Sequence, residues 1–329
     1  MARFSVIGSG AMGCAVAYLL SNNGHQVLIW TRRLEVAESI NCSHRNDFYL
    51  PGVHLNHSIS ATTSLEETMD YSENLILAVP SGAINEIIKK LEPLKRPKKV
   101  LSVIKGLDLH NKQRISQTFS NSLGFSENAY AVLSGPNFAS ELVMSIPSVT
   151  VVASKSKDTA GFFKKSLASK NLVIEITGDV AGVEISSVLK NIFALAMGIV
   201  DGLGFGANTR GAIFTQCIKD AQVIGEAGFN VDPKTIYGPA CLGDAITTGF
   251  STKSRNYLLG LILAKSSASS PMNGFISEGK NNISFVKEII DAKGIEAPSI
   301  DFIHRIIGGG NSYKSFSILW ENIDQLTDK

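Results

Sequence analysis

The chain has 329 residues, 44% of them apolar and 18% charged, and a formal net charge of +2. That length admits two domains with a large core, and the balance excludes disorder and the basic character of a nucleic-acid binder. A charge so near neutral gives a membrane surface no electrostatic hold.

FSVIG (4–8) reads as a strand entered at once, leaving no room for a signal peptide. A helical pattern through Leu20 follows, then a second strand, HQVLIW (25–30). NLILAVP, KVLSVIKG, AYAVLSGP and PSVTVVAS are further short apolar runs, each bounded by Gly, Pro or Ser, with amphipathic segments such as INEIIKKLEPL between them. Continuous apolar strands alternating with helices predict a parallel sheet covered on both faces, a doubly wound α/β domain of Rossmann type. The basic, serine-rich SKSKDTAGFFKKSLASK reads as a solvated helix. After LVIEIT (172–177) helical periodicity takes over, at 180–200, about 208–227, 254–265, 283–293, 299–307 and 313–325. The expected division is therefore a dinucleotide-binding domain, 1–178, and a mostly helical substrate and catalytic domain, 179–329. The four cysteines (14, 42, 217, 241) have no metal-ligand spacing, which suits a reducing compartment and a site without metal. Apolar runs such as ALAM and LLGLILA are too short to span a bilayer. A soluble cytoplasmic protein is expected.

Gly8-Ser-Gly10-Ala-Met-Gly13 follows the first strand and opens a helix. In that context the first glycine allows a tight turn, the second lets a pyrophosphate approach the backbone, and the third packs helix on strand. A tight turn without a ligand is the alternative. The second strand ends Trp30-Thr31-Arg32-Arg33, with no acid before Glu35. An acid there would hold ribose hydroxyls, whereas two arginines suit a 2′-phosphate, or else form a solvated turn.

Lys105 and the SGPN turn (134–137) end two later strands, on the side where ligands bind in open α/β sheets. Between Glu184 and Asp201 the only charged side chain is Lys190, in a stretch that otherwise looks like core. Burying an ammonium calls for a lowered pKa or a dedicated partner. Asp244, in CLGDAITT, is a carboxylate with little other charge around it. Ser254-Arg255-Asn256 occupies the cap and first turn of a helix. Serine suits the cap, but a cation in a first turn opposes the helix dipole unless an anion binds there.

Taken together, GSGAMG, VIKG (103–106), SGPNFASE (134–141), VLKN (188–191), DGLGFGANTR (201–210), LGDAITT (242–248) and SRN (254–256) resemble bacterial NAD(P)-dependent glycerol-3-phosphate dehydrogenase over essentially the whole chain. The resemblance implies reversible reduction of dihydroxyacetone phosphate to sn-glycerol 3-phosphate for phospholipid synthesis, by a homodimer with a Rossmann and a helical domain. It makes Lys190 the proton donor and acceptor, with Asp244 beside it. Lys105, Gly135, Asn137, Thr248, Ser254, Arg255 and Asn256 fall on substrate positions, the last two at the phosphate. Gly8, Gly10, Ala11, Met12, Gly13, Arg32, Arg33, Lys105, Ala139, Arg255, Ile276 and Glu278 fall on the cofactor side. Departures from the family pattern are Gln216-Cys217 in place of arginine–glycine, Pro239-Ala240-Cys241 in place of leucine-alanine-glycine, and Asn137 in place of serine or threonine. SEGKNN (277–282) follows the pattern only loosely.

For ketone reduction the proton donor should titrate near working pH, and an apolar neighbourhood lowers a lysine's pKa while Asp244 opposes the shift. The arginines after the second strand favour NADPH, with NADH possible. Two other readings stay open: a reductase of the same architecture acting on a small hydroxy acid, and a non-catalytic dinucleotide sensor.

Overall fold

In the computed structural model, which describes residues 1–94, 96–265 and 277–327, the chain divides into two units, Met1–Val183 and Glu184–Lys329.

Among the described residues the first unit carries ten strands. β1 (Arg3–Ile7), β2 (Gln26–Trp30), β3 (Ile59–Thr62), β4 (Asn74–Leu77) and β5 (Lys99–Ser102) are followed by a small hairpin, β6 (Leu107–Asp108) and β7 (Gln113–Arg114). β8 (Tyr130–Ser134), β9 (Ser148–Ser154) and β10 (Leu172–Thr177) complete the set. Eight of them form one sheet in the order β10-β9-β8-β5-β4-β1-β2-β3. Connecting helices are α1 (Ala11–Asn22), α2 (Leu34–Ser43), α3 (Leu65–Tyr71), α4 (Ile84–Leu91), α5 (Ile115–Leu123), α6 (Ala139–Val143) and α7 (Lys157–Leu167). β1, β2, β4 and β5 are short and apolar because both their faces are covered; Phe4, Val6, Val27, Ile29, Ile76 and Leu101 are all fully buried. The order of strands reverses at β1, which pairs with β2 on one side and β4 on the other. That reversal is the switch point where open α/β sheets bind ligands.

Three features differ from the sequence expectation. β8 and β9 pair antiparallel, Ala131 opposite Ser154. The connection between them holds only the five-residue α6, too short to carry the chain back along the sheet as a parallel crossover requires. The serine- and lysine-rich segment forms α7, yet one face is core: Ala160, Phe163 and Leu167 are fully buried. β3, ISAT, went unseen because it is an edge strand that alternates buried and exposed residues.

The second unit is helical: α8 (Val180–Gly202, which begins in the first unit), α9 (Ala207–Val223), α10 (Pro233–Tyr237), α11 (Asp244–Gly249), α12 (Arg255–Lys265), α13 (Glu278–Lys293), α14 (Pro298–Ile307) and α15 (Ser312–Thr327). Wide π turns at Ile224–Gly228 and Pro239–Gly243 precede α10 and α11. α8 is long and apolar enough to cross a bilayer, contrary to the estimate from uninterrupted runs, but its most apolar window is wholly buried in the fold. It is the core helix, and the carrier of Lys190. α12 crosses it closely: a Cβ added at Gly198 would lie 2.1 Å from the Tyr257 carbonyl oxygen, and one at Gly260 would lie 2.3 Å from that of Leu195.

Candidate active site

At the end of β1 the chain turns through Gly8, whose φ of +116° is open to glycine and strained for other residues. A Cβ there would lie 2.5 Å from the Ala78 oxygen at the end of β4, and one on Gly13 would lie 2.0 Å from the Gly8 oxygen. Gly10 has nothing within 4 Å of the corresponding position. It caps α1 in an extended conformation without a side-chain hydrogen bond, and no acid occupies the first turn, where Ala11 and Met12 lie. Backbone N–H groups and the positive end of the dipole are thus offered at a position open to approach, and this fits a dinucleotide pyrophosphate.

The arginine turn is tied to this loop by residues that carry no motif. Ser9 Oγ donates to Thr31 Oγ1 at 2.8 Å, and the Arg33 backbone N–H donates to the same oxygen at 3.3 Å. Asn46, buried, donates to the Ser9 carbonyl at 2.8 Å and to Cys14 Sγ at 3.1 Å. The Arg33 guanidinium lies 5.9 Å from the ring centres of both Phe48 and Tyr49. Arg32 is exposed. Two exposed aromatics inside the polar run HRNDFYLPG are the signal that could have drawn attention to Phe48 and Tyr49. Burial pushes the Cys14 thiol up to about 11, so this cysteine is a packing residue behind the turn.

Lys105, Gly135 and Asn137 come together after β5 and β8. Lys105 Nζ donates to the Gly135 carbonyl at 3.2 Å and to Asn137 Oδ1 at 2.8 Å. Asn137 Nδ2 in turn donates to Thr150 Oγ1 at 3.2 Å, on β9. Ala139 begins α6.

In the helical unit Lys190, Asp244 and Thr248 form one buried cluster. Lys190 Nζ donates to Asp244 Oδ1 at 3.3 Å and to Thr248 Oγ1 at 3.0 Å, and Thr248 Oγ1 donates to Asp244 Oδ1 at 3.2 Å. Lys190 is 5% exposed and Asp244 2%, so the pair is shielded from solvent. The π turn Pro239–Gly243, which holds one departure from the family pattern, sets Asp244 at the start of α11. Burial pushes the Cys241 thiol beside it up to about 12, and the Asp244 carboxylate adds to the rise.

Ser254 Oγ accepts from the Tyr257 N–H, as an N-cap serine does. Arg255 is exposed in the first turn of α12. Asn256 is buried: its Nδ2 donates to Asn191 Oδ1 at 2.8 Å, while its Oδ1 accepts from Ser277 Oγ and from the Gly279 N–H. Asn191 and Ser277 were missed in the sequence because they act through Asn256 from distant helices. Glu278 begins α13 and is half-buried; Ile276 lies outside the described residues. A second departure, Gln216-Cys217, faces a buried carboxylate: Gln216 Nε2 donates to Asp220 Oδ1 at 2.6 Å, and Ser299 donates to Asp220 Oδ2 from both N and Oγ. Burial lifts the Asp220 carboxyl to about 6 against these hydrogen bonds. Among the described residues no group of three His, Cys, Asp or Glu side chains could hold a metal.

Residues 3–160 match the family model described as NAD-dependent glycerol-3-phosphate dehydrogenase N-terminus, and residues 179–317 match its C-terminal counterpart. The chain is 33% identical over 313 residues to glycerol-3-phosphate dehydrogenase [NAD(P)+] of Staphylococcus carnosus, covering 93% of this chain and 94% of the relative. Its fold is similar to that of glycerol-3-phosphate dehydrogenase from Coxiella burnetii, with a TM-score of 0.88 at 25% identity over 100% of this chain and 99% of the other. A probable 2-dehydropantoate 2-reductase from Bacillus subtilis shares the architecture at a TM-score of 0.57 and 14% identity, covering 93% of this chain and 99% of the other, a likeness of fold alone. The chain belongs to the NAD-dependent glycerol-3-phosphate dehydrogenase family.

Proposed function

We propose that the chain catalyses the NAD(P)H-dependent, reversible reduction of dihydroxyacetone phosphate to sn-glycerol 3-phosphate. The observation that carries this reading is the buried Lys190–Asp244–Thr248 cluster in a member of this family. Residues 1–178 bind the dinucleotide, through the Gly8–Gly13 turn and the α1 N-terminus at the pyrophosphate and Arg32 and Arg33 at the adenosine end. Residues 179–329 carry the chemistry on the substrate. The nicotinamide, when bound, supplies hydride to the carbonyl carbon. Lys190 gives its proton to the carbonyl oxygen in reduction and takes it back in oxidation. Thr248 accepts from Lys190 and donates to Asp244, so hydroxyl and carboxylate together fix the direction of the ammonium.

Arg255 and Asn256 hold the substrate phosphate at the α12 N-terminus. Asn256 has one amide proton engaged by Asn191 and its oxygen engaged by Ser277 and Gly279. Its second amide proton serves the phosphate, in an orientation those partners set. Lys105, Gly135 and Asn137 serve substrate and nicotinamide, as the family resemblance implies; Ala139, Ile276 and Glu278 serve the cofactor on the same ground. On that ground, too, we read the chain as a cytoplasmic homodimer supplying phospholipid synthesis, and light scattering tests the dimer.

Oxidation of NADPH in the presence of dihydroxyacetone phosphate tests the reaction. Turnover with this ketone and not with small 2-keto acids is the expected result; the reverse selects a hydroxy-acid reductase, and no turnover with either selects a dinucleotide sensor. Arg255→Ala should raise KM for dihydroxyacetone phosphate by about tenfold to a hundredfold, as expected for a lost charged hydrogen bond, and leave unphosphorylated dihydroxyacetone unaffected. Equal losses for both ketones would remove the arginine from the phosphate.

A further inference from the structure

Thr150 belongs to none of the motifs that carry the family resemblance. It lies on β9, 1% exposed, and its hydroxyl is shared by two neighbours. Oγ1 donates to the Ser134 carbonyl at 2.8 Å and accepts from Asn137 Nδ2 at 3.2 Å. A threonine hydroxyl has one proton. With that proton given to Ser134, Oγ1 can only accept from Asn137, and Asn137 must turn its NH2 group toward β9. The carboxamide oxygen then faces Lys105 Nζ at 2.8 Å. The reverse orientation would set an NH2 group against an ammonium and an amide oxygen against a hydroxyl with no proton left to give. Asn137 is 4% exposed, so water cannot repair the mismatch. The second acceptor of Lys105, the Gly135 carbonyl, belongs to a residue that also packs on Thr150; a Cβ at Gly135 would lie 3.0 Å from the Thr150 Cα.

We infer that Thr150 is a positioning residue, which fixes the Asn137 carboxamide and through it the Lys105 ammonium. The inference rests on the reading of Lys105 as a residue at the substrate. It also gives a reason for asparagine at 137, where the family resemblance leads one to expect serine or threonine. A carboxamide has two polar ends, and the end turned from the lysine needs an acceptor behind it. Thr150 is that acceptor, so the two residues act as a pair.

Thr150→Val keeps the shape and removes the hydroxyl. KM for dihydroxyacetone phosphate should rise by about tenfold with kcat within about threefold of the wild type, the loss of one buried hydrogen bond to a charged or polar group. Thr150→Ser should restore KM. In an Asn137→Ser background, where no carboxamide needs orienting, Thr150→Val should change KM by less than about twofold, because the interaction being removed is absent there. A merely structural defect would lower kcat and thermal stability alike in both backgrounds and leave KM unmoved, and that pattern would overturn the inference. Should the valine variant not fold, Thr150→Ala replaces it in the same cycle. Crystal structures supply a readout independent of activity: the Lys105–Asn137 contact should be lost in the valine or alanine variant and kept in the serine variant. Retention of the contact without the hydroxyl would overturn the inference even if the wild type proved inactive on dihydroxyacetone phosphate, an outcome that would itself sink only the proposed reaction.

Discussion

In the first unit the groups proposed for the cofactor are backbone atoms and exposed side chains: the N–H groups opening α1, and Arg32 beyond β2. In the helical unit the proposed chemistry rests on side chains nearly closed to solvent, Lys190 on α8 held by Asp244 and Thr248 on α11. The first arrangement is made by local chain geometry, so that a glycine at the right place is most of the design. The second is made by packing, and each polar group depends on a partner tens of residues away. Changes in the first region should therefore alter binding and spare the fold, whereas those in the second should alter chemistry or stability together with their partners.

Lys190→Ala should give the largest effect. Removing a general acid lowers turnover by about a hundredfold to ten-thousandfold, and cofactor affinity, to which Lys190 is assigned no contact, should be unchanged. Stopped-flow turnover at saturating substrate, with a separate titration of NADPH fluorescence, measures both. Near-normal turnover would remove Lys190 from the reaction.

The same contrast decides what could be read in advance. The glycine turn, the strands and the long helices are local periodicities, and Lys190 was visible as one charge in an apolar stretch. Thr150 was not, because its partners, Ser134 and Asn137, come from β8 and the turn after it and meet it only when β9 pairs antiparallel. α10 and α11 span five and six residues, too short to show a helical period, so Asp244 could be named but not placed.

Next in size is a stability effect confined to the helical unit. Asp220 is 2% exposed, and burial raises its carboxyl to about 6, from the ordinary aspartate value of 3.8. A raised folded pKa means that the contribution to stability is fully present below the unfolded pKa and is lost as pH rises through about 6. The loss is on the order of 3 kcal/mol at neutral pH. Asp220→Asn removes the titration and can keep its hydrogen bonds if the Gln216 carboxamide turns to accept. Thermal denaturation should show the variant gaining on the wild type between pH 4 and 6, with a constant advantage above that range. A difference that does not vary with pH would show that Asp220 is not the titrating group.

Two glycines sharpen the comparison directly. Gly198→Ala would press a methyl group to 2.1 Å from the Tyr257 carbonyl, where α8 and α12 cross, so that one helix backbone must shift away from the other. Overpacking of this kind costs about 1–3 kcal/mol, read as a lower Tm. Gly10→Ala meets nothing within 4 Å; Tm should hold while NADPH binding weakens, because the added methyl group stands where the pyrophosphate approaches. Two equal drops in Tm would contradict the division between a region built for binding and one built for packing.

The smallest effect expected is in the choice of cofactor. β2 ends at Trp30 and is followed by Thr31-Arg32-Arg33, and the two arginines are held differently. Arg33 is half-buried over Phe48 and Tyr49, an arrangement that fixes its guanidinium in place. Arg32 is exposed and keeps its rotamer freedom, so ordering it on a 2′-phosphate offsets part of the gain from a charged hydrogen bond. A net preference of roughly tenfold for NADPH over NADH follows if about 1.4 kcal/mol survives of the 1.5–3 typical for such bonds. Arg32→Ala should abolish that preference by weakening NADPH alone, since NADH has no phosphate at that position for the arginine to lose. Raising the salt concentration should erode the wild-type preference in the same direction, because an exposed charge pair is screened. Steady-state kinetics with both cofactors at low and high salt would measure this. Equal losses for NADPH and NADH in the variant, or a wild type that prefers NADH, would return the arginine to the solvated turn it also resembles in sequence.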